Sequence, residues 1–178
     1  MNYRKSVMFL VAMSLLAIPL VAGPKEKHEG PEREFRADLR GRGEVPVTLS
    51  AARGSLELTV NDVDTSVHFV LSYSGTLTPP SASHIHVGQP NVNGGVTVFF
   101  CGGGGRPACP TAGTVEGDFT ANDVIGLATQ QLEPKNLEKL LKAIRAGQTY
   151  ANLHTATSPG GEIRGQIRDD ETKDKKEH

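Results

Sequence analysis

Two histidines stand one residue apart in His84-Ile85-His86, after an alternating apolar segment and before a loop of Asn, Pro and Gly. In a strand, residues i and i+2 face the same way, so both imidazoles project together. That is half of a metal site, or a polar rim on a sheet. His154, in "ANLHT", is a third candidate ligand, on a strand that a sandwich could bring beside the first. Three imidazoles in an open or T-shaped arrangement suit copper or zinc. Glu162 or Asn152 is placed to orient a ring from behind. The alternative use of the same side chains is a hydrogen-bonded cluster that holds loops together. The expected geometry is convergence at one end of the sandwich, with the Asn91–Gly95 loop over the rings.

Other residues with reactive side chains fit structural roles. Cys101 and Cys109 are the two cysteines, in "CGGGGRPAC". A metal-binding thiol pair wants closer spacing and a reducing compartment, so a local disulfide is expected. Ser158 lies near His154 and Glu162, but no G-x-S-x-G elbow surrounds it, and "SPGGE" reads as a tight hairpin. Gly102–Gly105 is not followed by GK[ST], so it is no phosphate cradle. His68 sits on the polar side of "SVHFVLSYS", the position of a solvated strand residue.

The elements that must position these residues read mostly as strands. Phe35, Ala37 and Leu39 alternate with polar neighbours, as do Leu56, Leu58 and Val60, and then Val67, Phe69, Leu71 and Tyr73. Further period-two runs follow in "GVTVFFC", "TVEGDF", "TYANLHT" and "GEIRGQI". Such runs at short spacing, divided by Gly, Pro, Asn and Asp, indicate a mainly β protein, an antiparallel sandwich or barrel. One segment breaks the period: Leu137, Leu140, Leu141 and Ile144 recur at helical spacing, with Pro134 or Asn136 at the start and Gly147 just past the end. This helix is expected to close one end of the core. "TANDVIG" adds a short turn with Thr120 or Asn122 as its cap.

The 178 residues fit one domain. Residues 1–22 read as a signal peptide: a basic start, an apolar run of about the length of an h-region, and small residues before a cleavage expected after Ala22. The apolar run is short for a membrane span and is interrupted by Pro19, so no span is expected after cleavage. Residues 23–33 read as a polar linker, 34–168 as the folded domain, and 169–178 as a charged disordered tail. Loss of Arg4 and Lys5 from 19 basic side chains leaves 17 against 20 acidic ones. No basic stripe is visible along the chain, so nucleic acid is not an expected partner. Trp is absent and aromatics are 5%, which leaves no stacking platform for bases or sugars.

The run "AIRAGQTYANLHTATSPGGEIRGQI" resembles the CHRD domain, the module named after chordin. The likeness extends upstream through "TANDVIG" and "SHIHVGQPNVNGGVTVFF". Asn152–Gly165 is its most specific part, and the cysteine-bracketed insert is a departure from it. The resemblance implies an immunoglobulin-like, Greek-key β-barrel with one or two short helices, in a secreted or periplasmic setting. It also implies a distant similarity to the Cu/Zn superoxide dismutases, whose H-x-H supplies two copper ligands. A copper-dependent dismutase-like enzyme is therefore one reading, with Arg164 as a candidate guiding charge. The second zinc subsite of those enzymes has no counterpart, since no His lies between His86 and His154. The expected function is a non-enzymatic extracytoplasmic binding or envelope module, with a copper or zinc site at His84, His86 and His154. Its partner, protein or other ligand, is not legible in the sequence.

Overall fold

The computed structural model describes residues 33–170. The signal peptide expected at 1–22, and most of the expected linker and tail, lie outside those residues. Nine strands make the sheet: β1 (Glu34–Arg40), β2 (Arg53–Val60), β3 (Ser66–Ser74), β4 (Pro80–Val87), β5 (Gly95–Cys101), β6 (Gly113–Thr120), β7 (Thr149–Thr155), β8 (Ile163–Gln166) and the two-residue β9 (Arg168–Asp169). Helix α1 (Leu137–Arg145) precedes β7, and short 3₁₀ turns occur at Gly41–Gly43, Ala121–Asp123 and Ala128–Gln130.

Alternation decides the strands. In β2, Gly54, Leu56, Leu58 and Val60 are buried while Arg53, Ser55, Glu57 and Thr59 are exposed. One face thus meets the core and the other meets water, as antiparallel sheets allow. The order is β5-β4-β7-β8-β1-β2-β3-β6, with β9 on β1 and every pair antiparallel. The end strands β5 and β6 approach each other, so the sheet curls into a nearly closed barrel. The expected mainly β, Greek-key-like architecture is the observed one. A disulfide joins Cys101, at the end of β5, to Cys109 in the segment leading to β6.

The interior is filled by Phe35, Phe69, Phe100 and Phe119 with Leu, Ile and Val from every side. Helix α1 adds Leu137, Leu140, Leu141 and Ile144, all buried. Burying such a side chain is worth roughly 1.5–3 kcal/mol, enough to hold a nine-residue helix that would not stand alone. The Asn136 side chain caps its start by accepting from Lys139 N–H at 2.9 Å, and Gly147 takes φ +64° after its end. Arg145 donates twice to the Asp64 carboxylate, at 2.8 Å each, tying α1 to the β2–β3 turn. Thr120 caps the 3₁₀ turn Ala121–Asp123 through a reciprocal capping box.

The charge pattern places Asp169 in the tail, but its backbone pairs with Phe35, and Asp170 N–H donates to Glu34 O at 3.0 Å. Backbone pairing on an edge tolerates charged side chains that point to water, so composition misplaces this boundary.

Candidate metal centre

The candidate ligands lie on the outside of the barrel wall. Ile85, Ala151 and Leu153 face the core, so His84 and His86 on β4, with Tyr150, Asn152 and His154 on β7, face outward. Register then sets the neighbours: His84 opposes Asn152, His86 opposes Tyr150, and Ala82 opposes His154. The rings converge as expected, but on the outer wall between β4 and β7 and not at an end of the sandwich. Parity turns them outward, because Ile85 points inward, and the β4–β7 register brings them together.

Outward-facing imidazoles would normally be wet, yet His84 and His86 are only 6% and 7% exposed. The Phe99 ring meets His84 edge-on at 4.9 Å, and His86 lies under the Gly88–Gly94 loop. Its Gly94 O accepts from His86 Nδ1 at 2.8 Å, and Gly94 N–H donates to the Tyr150 hydroxyl at 3.2 Å. Arg164 on β8 holds the same loop, donating to Asn93 Oδ1 at 3.1 Å and to Val92 O at 2.9 Å. Its guanidinium lies 3.3 Å from the Tyr150 ring centroid, and Tyr150 stacks on His86 at 4.6 Å with an interplanar angle of 4°. Arg164, Tyr150 and His86 therefore form one column. At Gly94 a side chain is excluded: its Cβ would fall 1.7 Å from Val87 O.

The three rings offer one ligand nitrogen each, all within 4.8 Å of one another. Ring centroids are 4.6 Å apart for His84–His86, 4.6 Å for His84–His154 and 6.2 Å for His86–His154. Two of the tautomers are set by carbonyl partners. His86 Nδ1 donates to Gly94 O and His154 Nδ1 donates to Pro159 O at 2.9 Å, which leaves both Nε2 atoms with lone pairs. Both Nε2 atoms point at the Asn152 side-chain amide, 3.0 and 2.9 Å from the atom assigned as Oδ1. Two lone-pair nitrogens require a donor, so the amide is satisfied when turned to present Nδ2–H to both. His84 Nδ1 is buried without a hydrogen-bond partner.

Burial pushes all three imidazole pKa values down. His84 falls to about 3, through burial first and then through the neighbouring His86 and His154. His86 and His154 shift the same way, again chiefly by burial, opposed by their bonds to Gly94 O and Pro159 O. The cluster is thus three neutral imidazoles at neutral pH, the form that ligates a cation. His84, His86 and His154 would hold a copper or zinc ion with one ring nitrogen each, and their ligand atoms already lie within 4.8 Å of one another.

Asn152 meets two of the rings at the Nε2 atoms that a metal would take, so the orienting partners are Gly94 O and Pro159 O; Glu162 orients none. The Glu162 carboxylate is fully buried and accepts from Ser50 Oγ at 2.7 Å, Leu77 N–H at 3.0 Å and Thr155 Oγ1 at 2.7 Å. It pins two connecting loops to the β7–β8 hairpin and reaches no imidazole. Parity places Tyr150 on the outward face with Asn152 and His154, but its stacking on His86 depends on the β4–β7 register, which no single strand carries. Glu44 was also missed: its pKa is pushed up to about 7 by burial, against the opposing pull of Arg164, and its Oε1 has no hydrogen-bond partner. His68 is the solvated residue expected, paired with Asp118 at 3.0 Å and Glu116 at 3.4 Å. Among the described residues no other group of three metal-ligating side chains converges.

No curated protein matches this sequence. The CHRD domain matches residues 35–167, a span that runs from β1 to the last residue before β9 and contains all three histidines. Three quarters of the chain and all of the barrel but Glu34 and β9 answer to that family, and the chain belongs to the CHRD-domain family.

Proposed function

We propose that this CHRD-domain protein is an exported metal-binding module that holds one copper or zinc ion on His84, His86 and His154. The observation that carries the reading is the convergence of three neutral imidazoles, one of them with a buried nitrogen that nothing in the protein satisfies. A purely structural polar cluster would satisfy that atom, because a buried unpaired nitrogen is costly. On loading, the Asn152 amide would turn aside from His86 and His154 while Gly94 O and Pro159 O keep both rings in the ligating tautomer. The disulfide supports an oxidising compartment, in keeping with the signal-like residues at the start of the chain. Dismutation is disfavoured because the second, zinc subsite of the dismutases has no counterpart among the described residues.

The test is titration of chelator-treated protein with Cu(II) and Zn(II) against a competing chelator. One equivalent should bind, and His86→Ala should weaken it by at least about tenfold. Undiminished one-to-one binding in the His86→Ala, His154→Ala double variant would overturn the site. Rapid superoxide consumption by copper-loaded protein, abolished by His86→Ala, would replace the binding module with a dismutase-like enzyme.

A further inference from the structure

The pairing register gathers cations that the linear sequence scatters. Arg40 on β1 is directly opposite Arg164 on β8 and directly opposite Arg53 on β2. Three arginines thus stand in one row across three adjacent strands, all on the outward face. Like charges in directly opposed positions destabilise a sheet, so the row is an arrangement that packing alone would not select. Arg42 extends it in the 3₁₀ turn after β1, and Arg36 and Arg168 lie further along the same wall.

These residues border a groove of about 490 Å³ lined by Arg36, Arg40, Arg42, Arg164 and Arg168, with Asp38 as its one acid. A second hollow of about 360 Å³ shares Asp38 and Arg40 with it and continues over Arg53, Ser55, Ser72 and Thr114. Together they form an elongated trough with guanidinium groups along it and hydroxyls at one end. Arg40 is held in place by donating to Leu39 O at 2.8 Å and Gly54 O at 3.1 Å. Arg164 turns its guanidinium to the metal-site loop, so its contribution to the groove is chiefly charge. Among the described residues, Arg40, Arg42, Arg53 and Arg168 have no carboxylate partner within 4.0 Å.

We propose that this trough binds an anionic polysaccharide, with Arg40, Arg42, Arg53 and Arg168 gripping successive sulfate or carboxylate groups. Arginine suits this because its planar fork meets oxyanions bidentately. An extended trough with several separated cations fits a chain of spaced charges better than one small ion. Nucleic acid is disfavoured by the lining: no exposed aromatic offers a stacking surface, since Tyr73 is buried and its hydroxyl donates to Pro110 O at 2.7 Å. The Ser55 hydroxyl, with those of Ser72 and Thr114 that bond to each other at 2.8 Å, instead matches sugar hydroxyls. Attraction is local, because the chain as a whole carries net charge −1.

The test measures binding of the full chain to dextran sulfate, polygalacturonate, neutral dextran and single-stranded DNA at about 50 mM and about 200 mM salt. At least one acidic polysaccharide should bind, weakening with salt, while neutral dextran should not and DNA should bind at least about tenfold less tightly. The arms with sulfate and with carboxylate identify which oxyanion is taken. The Arg42→Gln, Arg53→Gln, Arg168→Gln variant, altered at exposed positions, should lose at least about tenfold in affinity and shallow the salt slope. A matched variant, Lys135→Gln, Lys139→Gln, Lys142→Gln, removes the same charge beside α1 and should change binding less than about twofold. Arg42→Gln alone, in a surface turn, repeats the measurement if the triple arginine variant unfolds. No binding at the lower salt, an equal loss in the lysine variant, or DNA bound as tightly as polysaccharide would each overturn the proposal. None of these readouts depends on the histidines, so the metal site stands or falls separately.

Discussion

Acid should unfold the metal-free protein through its histidines, and His84 permits the effect to be isolated. In the folded state its pKa falls from 6.5 to about 3, because a cation there would be buried, lack an acceptor at Nδ1, and face His86 and His154. The unfolded chain therefore binds a proton between these values that the folded chain does not. A group of this kind contributes stability that is complete above the unfolded pKa and is lost as pH falls below it. From pH 7 to pH 5 the loss assigned to His84 is about 2 kcal/mol. The measurement is denaturant unfolding of chelator-treated wild type and His84→Gln at both pH values. The variant cannot titrate at that position, so its stability should fall by about 2 kcal/mol less than that of the wild type over the interval. His86 and His154 remain in both proteins and shift in the same direction, so most of their contribution cancels. Glu44, raised to about 7, acts oppositely: its contribution is present at low pH and lost as pH rises through the range from 4.5 to 7, and it too is common to both. Parallel losses in wild type and variant would refute the account of the site as a desolvated, neutral cluster.

Further perturbations test what holds the site in place. Glu162→Ala removes a buried acceptor of three hydrogen bonds and should cost about 3–5 kcal/mol in denaturant unfolding, since two of the donors are hydroxyls that can find new partners; a loss below about 1 kcal/mol would show that the carboxylate pins nothing. Replacing Cys101 and Cys109 together by Ser opens a short loop, with sequence separation 8, and should lower stability by about 2–3 kcal/mol while leaving the far-UV circular dichroism β-like; loss of the sheet spectrum would mean that the barrel depends on the bridge.

The strands, the helix and the disulfide were legible because each rests on local physics. Alternation of Leu56, Leu58 and Val60 with exposed residues demands a half-buried strand wherever it occurs, and the Leu137–Ile144 stripe demands a helix against a core. The capping groups Asn136 and Thr120 act within a few residues of themselves, so they too could be read in advance. His84 and His86 share a face by parity alone, and that half of the metal site follows from the sequence.

What joined the other half was register, a property of pairs of strands that no single strand carries. Setting His84 against Asn152, two residues before His154, brings the third imidazole into reach, and folding the Gly88–Gly94 loop back over the wall buries the outward-facing His86 ring. The same pairing withdrew Glu162 from the site, since its carboxylate was claimed by Ser50 and Leu77 from loops distant in sequence. It also placed Arg40 between Arg53 and Arg164, turning dispersed single charges into a row where no basic run exists in the chain. Periodicity determines which face a side chain takes; only long-range pairing, with the desolvation it creates, decides which neighbours that face has and whether they are charged, neutral or ready to bind.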